Sequence, residues 1–87
     1  MGSQDEQWTV LLLNDDITPM EFVVDVIKQF FDMDRVSAVR LMLRVHNEGI
    51  GECGTYSREM AKAKVDQITD FARKHEHPLQ CVVQRKP

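Results

Sequence analysis

Three observations predict an α+β fold, with a small antiparallel sheet carrying a layer of helices. The hydrophobic period changes along the chain, from β-like runs near both ends to helical stripes between them. Start and stop signals for helices fall close together, so the elements are short and follow the order β-α-α-β-α-β. The 87 residues, 43% hydrophobic and 29% charged, suffice for one modest core and no second lobe. The expectation is a single small domain, with a three-stranded antiparallel sheet packed against three helices.

Each element has its own reason. Trp8 to Leu13 is apolar and β-prone and ends at a polar turn, which reads as a strand. Pro19 to Phe31 places Phe22, Val23, Val26, Ile27 and Phe30 on one helical stripe. At its start Thr18 followed by Glu21 fits a capping box, and Pro19 fills the first helical position, where no N–H is needed. Asp32-Met33-Asp34 breaks the stripe, and Asp34 is placed to cap a second helix, Arg35 to Glu48. Ala38, Leu41, Met42 and Val45 form its inner face, with Gly49 at the position of a left-handed cap. Ile50 to Tyr56, punctuated by Gly51 and Gly54, is a weaker strand. Ser57 caps a third helix with Ala61, Val65, Ile68 and Ala72 inward, ending near His75 because Pro78 forbids continuation. Leu79 to Gln84 closes the sheet.

Composition narrows the function. A net charge of −3 gives no electrostatic reason to expect nucleic acid or an anionic membrane. No apolar run approaches the roughly 20 residues that span a bilayer, and no signal peptide is visible. Cys53 and Cys81 stand singly among strand-like residues. Buried reduced thiols are expected, with a disulfide as the alternative. Met1-Gly2-Ser3 has the look of a cloning scar, and residues 1–6 are expected to be a flexible N-terminus.

Two segments carry the chemistry. Asn14, Asp15 and Asp16 offer three acceptor side chains on a turn held between a strand and a helix start, a set suited to gripping an ammonium group. Met42, Val45 and His46 share one face of the second helix, with His46 in its last turn. Taken singly, the carboxylates read as a solvated turn, the histidine as a capping residue and the methionine as core. A hydrolase built on Asp15, Asp16 and His46 would need a Ser or Cys nucleophile in a recognisable elbow or a histidine pair at zinc spacing on a helix, and neither is present. His75 and His77 flank a chain turn and with Cys81 make only a sparse pattern. No enzyme, cofactor or metal is expected.

The ordered set Leu13-Asn14-Asp15-Asp16-Ile17-Thr18-Pro19-Met20-Glu21-Phe22-Val23, Leu41-Met42, Val45-His46, Gly49, Cys53-Gly54, Glu59, Lys64, His77-Pro78-Leu79 and Cys81 resembles the signature of the ClpS family. These are bacterial adaptors of the N-degron pathway. The resemblance runs from residue 7 to 85 in one register, and 7–87 is expected to be the adaptor domain. It implies an adaptor that binds substrates with a bulky hydrophobic first residue (Leu, Phe, Tyr or Trp) and delivers them to the ClpA unfoldase of ClpAP. It implies that Asn14, Asp15, Asp16 and His46 hold the α-amine. The side chain would enter a pocket of Ile17, Thr18, Met20, Val23, Met42, Val45 and Leu79, with Met20 as gatekeeper against β-branched residues. Contact with the unfoldase would map to Glu59 and Lys64. A cytoplasmic bacterial monomer follows as the simplest setting. The resemblance leaves open a ClpS-like domain serving a plastid Clp chaperone or a ubiquitin ligase, or a paralogue of restricted specificity.

Overall fold

Local stop signals set where the chain reverses, and those reversals set the architecture. The computed structural model describes residues 7–86; the N-terminal segment 1–6 and Pro87 lie outside the described residues. The elements are β1 (Trp8–Leu13), α1 (Met20–Phe31), α2 (Arg35–Glu48), β2 (Ile50–Tyr56), α3 (Arg58–Lys74) and β3 (Gln80–Arg85). β1 lies at the centre of the sheet, antiparallel to β2 on one side and β3 on the other. The α+β architecture predicted from the sequence is the one observed.

The core forms where the helices cover one face of this sheet. Val10 and Leu12 of β1, Cys53 of β2 and Cys81 of β3 meet Val23, Val24, Val26 and Ile27 of α1, with Ala38, Leu41, Met42 and Val45 of α2. α3 adds Ala61, Ile68 and Ala72. Its small alanines let the helix lie close to the sheet. Phe71 of α3 stacks on Phe22 of α1 at 5.4 Å and meets Phe30 edge-on at 5.4 Å, tying the two helices together. The β1–β2 register shifts between Val10 and Leu11, where Cys53 is the extra residue of a bulge. Cys53 and Cys81 are free and buried. They lie on strands flanking β1, two strand spacings or about 10 Å apart. A disulfide requires a Cα separation below about 7 Å, so the reduced form is the one the fold allows.

Two helix starts follow the local signals. The Asp34 carboxylate accepts from the Ser37 amide at 2.8 Å, and the Ser57 hydroxyl accepts from the Met60 amide at 3.2 Å. The expected capping box at Thr18 and Glu21 is not formed. Pro19 is the N-cap of α1 without a side-chain bond, and its carbonyl accepts from the Phe22 and Val23 amides at 3.0 and 3.2 Å. The reason lies upstream: the Asp15 carboxylate has taken the amide of Thr18, and the Thr18 side chain is buried.

Candidate functional site

The junction between β1 and α1 is built by one carboxylate. Asp15 Oδ1 accepts from the Ile17 amide at 2.9 Å and the Thr18 amide at 2.7 Å, a turn closed by its own side chain. Partial burial would raise the pKa of this group. The Thr18 and Ile17 amides, with the positive field of His77, outweigh that and hold the carboxyl below its usual range. The other oxygen, Oδ2, is buried with no protein partner among the described residues. Of the two adjacent aspartates, Asp15 therefore braces the turn from inside, and Asp16 is exposed.

A second bond joins this turn to α2. Gly49, in the left-handed conformation at φ 87°, ends the helix with its amide on the Val45 carbonyl. Its own carbonyl accepts from the Asn14 amide at 3.0 Å. The turn after β1 and the last turn of α2 are thereby held side by side, although 35 positions separate Asn14 from Gly49 in the sequence.

Between them lies a cavity of about 140 Å³. Asn14, Asp15, Asp16 and His46 are its polar residues, together with the Thr18 hydroxyl. Val23, Met42, Val45 and Leu79 are its buried apolar walls, and Leu13 and Met20 complete it. Met20 is 45% exposed and stands at the mouth. The volume is close to the ~150 Å³ of an engineered apolar cavity that admits benzene, so one aromatic ring or branched aliphatic tip matches it. Among the described residues, no protein group bonds to the side-chain polar atoms of Asn14, Asp16 or His46. Their hydrogen-bonding capacity is open to a ligand.

Of the apolar residues expected here, Ile17 is the one the cavity does not include; its side chain is 74% exposed on the outside of the turn. The backbone explains this, because the bonds to Asp15 fix residues 17 and 18 so that Thr18 turns inward and Ile17 outward. Glu59 and Lys64 do not line the cavity; they border a shallow depression on α3 with Met60, Ala63 and Gln67. Lys64 sends its ammonium inward, donating to the Phe30 carbonyl at the end of α1, and lies 5.6 Å from the ring centres of Phe31 and Tyr56.

Sequence reasoning missed three supports. Leu13 lines the cavity as the last residue of β1, in a position that alternation alone does not distinguish. The Arg73 guanidinium donates to the carbonyls of His77 and Leu79 at 2.8 and 3.1 Å, which fixes the segment that delivers Leu79. His77 packs its ring 4.4 Å from that of Phe22 and acts electrostatically on Asp15. Its place in a His-Pro-Leu run was the available signal.

Among the described residues no group of three His, Cys, Asp or Glu side chains could hold a metal ion, and no helix is long and apolar enough to cross a membrane. No serine or cysteine lines the cavity. Fold and cavity together define a small α+β binding domain, with an apolar well under a polar mouth.

Comparison with known proteins narrows that class. The family described as ATP-dependent Clp protease adaptor protein ClpS matches residues 3–82, and the chain belongs to it. The chain is 57% identical over 79 residues to ClpS 1 of Agrobacterium fabrum, covering 91% of this chain and 68% of that one. It is 60% identical to ClpS 2 of Rhodopseudomonas palustris, over 91% of this chain and 72% of the relative. The solved structure of Agrobacterium tumefaciens ClpS2 bound to L-phenylalaninamide is similar, with a TM-score of 0.90 and 32% identity, covering 93% of this chain and 98% of that one. The protein is accordingly an adaptor of a Clp protease and not itself a catalyst.

Proposed function

We propose that this adaptor captures proteins by a bulky hydrophobic first residue (Leu, Phe, Tyr or Trp) and delivers them to the ClpA unfoldase of ClpAP. The observation that carries the reading is one cavity in which the unpartnered side chains of Asn14, Asp16 and His46 stand over the buried walls of Val23, Met42, Val45 and Leu79. The likeness to a ClpS2 bound to L-phenylalaninamide supports it, because that ligand combines a free α-amine with one aromatic side chain.

The chemistry is that of a chain end. An α-ammonium presents three donors, and Asn14, Asp16 and His46 offer acceptors for them, while Asp15 holds the turn in shape. Each hydrogen bond to a charged group is worth about 1.5–3 kcal/mol. Burying a Leu or Phe side chain adds about 1.5–3 kcal/mol. A few such terms, less the association cost, reach the micromolar range, where 1 μM is about −8 kcal/mol. An internal Leu brings only one amide donor and a preceding chain that collides with the turn, so discrimination comes from the amine. Met20 at the mouth is the gatekeeper: its thioether adapts to rings and branched tips but crowds a branch at Cβ.

On this reading residues 7–87 form the adaptor domain and act as a monomer in the bacterial cytoplasm. Glu59 and Lys64 mark the side that meets ClpA, Glu59 directly and Lys64 by holding α3 against α1. Isothermal titration with a Leu-initiated peptide and its N-acetylated twin tests the binding step. Micromolar affinity for the free amine and none for the acetylated peptide is expected. Equal affinity for both refutes the reading. Release of a Leu-initiated reporter by ClpAP, with and without the adaptor, tests delivery.

A further inference from the structure

Ile17 is a large hydrophobe held in water by a rigid turn. Its neighbours Asp16 and Thr18 both line the cavity, yet its own side chain is 74% exposed outside it. The turn cannot relax to hide it, because the amides of Ile17 and Thr18 are both fixed on Asp15 Oδ1. Three residues on, Met20 is 45% exposed at the mouth. A single exposed isoleucine is ordinary on a protein surface. This one, however, is pinned at the rim of a binding cavity on the same turn as its polar groups.

We infer that Ile17 and the outer face of Met20 form a second subsite, an apolar lip that receives the side chain of the second residue of the bound peptide. The inference rests on the function proposed above. A first residue whose amine is held by Asn14, Asp16 and His46, and whose side chain points into the well, has one substituent left on its Cα. That carbonyl must leave through the mouth, and the next side chain emerges at the rim. On the turn side of the rim stands the apolar lip. On the α2 side stands His46, exposed and polar. A second residue with an aliphatic or aromatic side chain is therefore favoured over glycine, and the adaptor reads two positions.

Three ligands separate the parts of this inference: phenylalaninamide, which has no second side chain, and two peptides identical except for Phe-Leu or Phe-Gly at their start. Affinities are measured by calorimetry for the wild type, Ile17→Ser, Ile17→Val and, as a control on an exposed hydrophobe of α2, Leu43→Ser. The wild type should bind the Phe-Leu peptide about three- to tenfold tighter than the Phe-Gly peptide, the scale of one or two covered methylenes. Ile17→Ser should bring that ratio close to one, Ile17→Val should keep most of it, and Leu43→Ser should leave it alone. A ratio near one in the wild type, or one that survives Ile17→Ser, overturns the inference. So does a loss in Ile17→Ser that is equally large for phenylalaninamide, since Ile17 would then serve the first residue. If phenylalaninamide fails to bind the wild type, the proposed function falls, and the subsite with it.

Discussion

Asp15 and Asp16 are chemically identical neighbours to which the structure gives different work, and substitution can separate them. Replacing Asp15 by alanine removes the acceptor for two backbone amides at 2.7 and 2.9 Å, both at the entrance to α1. A bond to a charged group contributes about 1.5–3 kcal/mol, and loss of a helix-entry cap about 1 kcal/mol. For a half-exposed turn the lower values apply, so Asp15→Ala should destabilise the fold by about 2 kcal/mol. Asp15→Asn retains a carbonyl for the two amides and should cost about half as much. Among the described residues Asp16→Ala removes no hydrogen bond or ion pair, and it should stay within about 0.5 kcal/mol of the wild type. Its loss appears instead in binding, about ten- to a hundredfold weaker for a Phe-initiated peptide, the equivalent of about 1.5–3 kcal/mol. Urea denaturation followed by the single tryptophan, Trp8, gives the stabilities from shifted midpoints at constant slope. Acidity supplies an independent check. The Asp15 carboxyl titrates below its usual 3.8, so its stabilisation is complete above that pH and is lost as the pH falls through the lower folded value. The gap between wild type and Asp15→Asn should therefore narrow below about pH 4. An Asp15→Ala protein with wild-type stability and no ligand binding would refute the bracing role and make Asp15 a ligand contact.

Other perturbations follow from the same geometry. A Cβ at Gly51 would lie 2.6 Å from Val45 Cγ2 and 3.1 Å from Leu41 Cδ1. Gly51→Ala should cost about 1–3 kcal/mol in denaturation and weaken Phe-peptide binding by pushing Val45 into the cavity. Met20→Ala should admit Ile- and Val-initiated peptides; selectivity unchanged in calorimetry would count against the gatekeeper. Lys64→Met should lower stability by about 1–2 kcal/mol, since it loses the bond to the Phe30 carbonyl and two ring contacts. A Lys64→Met protein that melts normally but no longer retains ClpA in a pull-down would instead make Lys64 a direct contact. Burial pushes the Cys53 and Cys81 thiols up to about 12. Both should resist thiol reagents at pH 8 until urea unfolds the chain. Their contribution to stability is complete below the unfolded value of 9.0 and is lost as the pH rises from there towards 12.

What the sequence disclosed and what it withheld divide along one line, the distance over which the deciding interaction acts. The bounds of α2 were legible because both of its ends carry their own signals, Asp34 bonded to the Ser37 amide and Gly49 at positive φ. β1 was legible because an apolar run stops at a polar turn. The start of α1 departs from its local pattern because two side chains compete for the same amide. Thr18 and Glu21 satisfy the capping pattern, but Asp15 reaches the Thr18 amide first, and a three-residue pattern does not include its upstream rival. The resemblance puts Ile17 in the pocket, whereas the side a turn residue faces depends on dihedral angles that residue type leaves free. The supports of the cavity act over longer range still, from the Asn14 amide to the Gly49 carbonyl and from Arg73 to Leu79.

On the function proposed above, the same distinction explains how this cavity would select a chain end. Its apolar walls come from α1, α2 and the approach to β3, all buried in the core and therefore rigid. Its polar mouth comes from His46 of α2 and from one turn whose amides Asp15 has already satisfied, leaving the Asn14 and Asp16 side chains without a hydrogen bond among the described residues. Acceptors left free at the mouth of an apolar well lose hydration whenever a side chain fills the well, and that loss is repaired only if donors arrive with it. A hydrophobic residue preceded by a peptide bond brings one donor and a steric conflict. The first residue of a chain brings three donors and none. Preference for the terminus therefore follows from the arrangement of the turn, and removing Asp15, which touches no donor of the ligand on this reading, should blunt that preference along with stability.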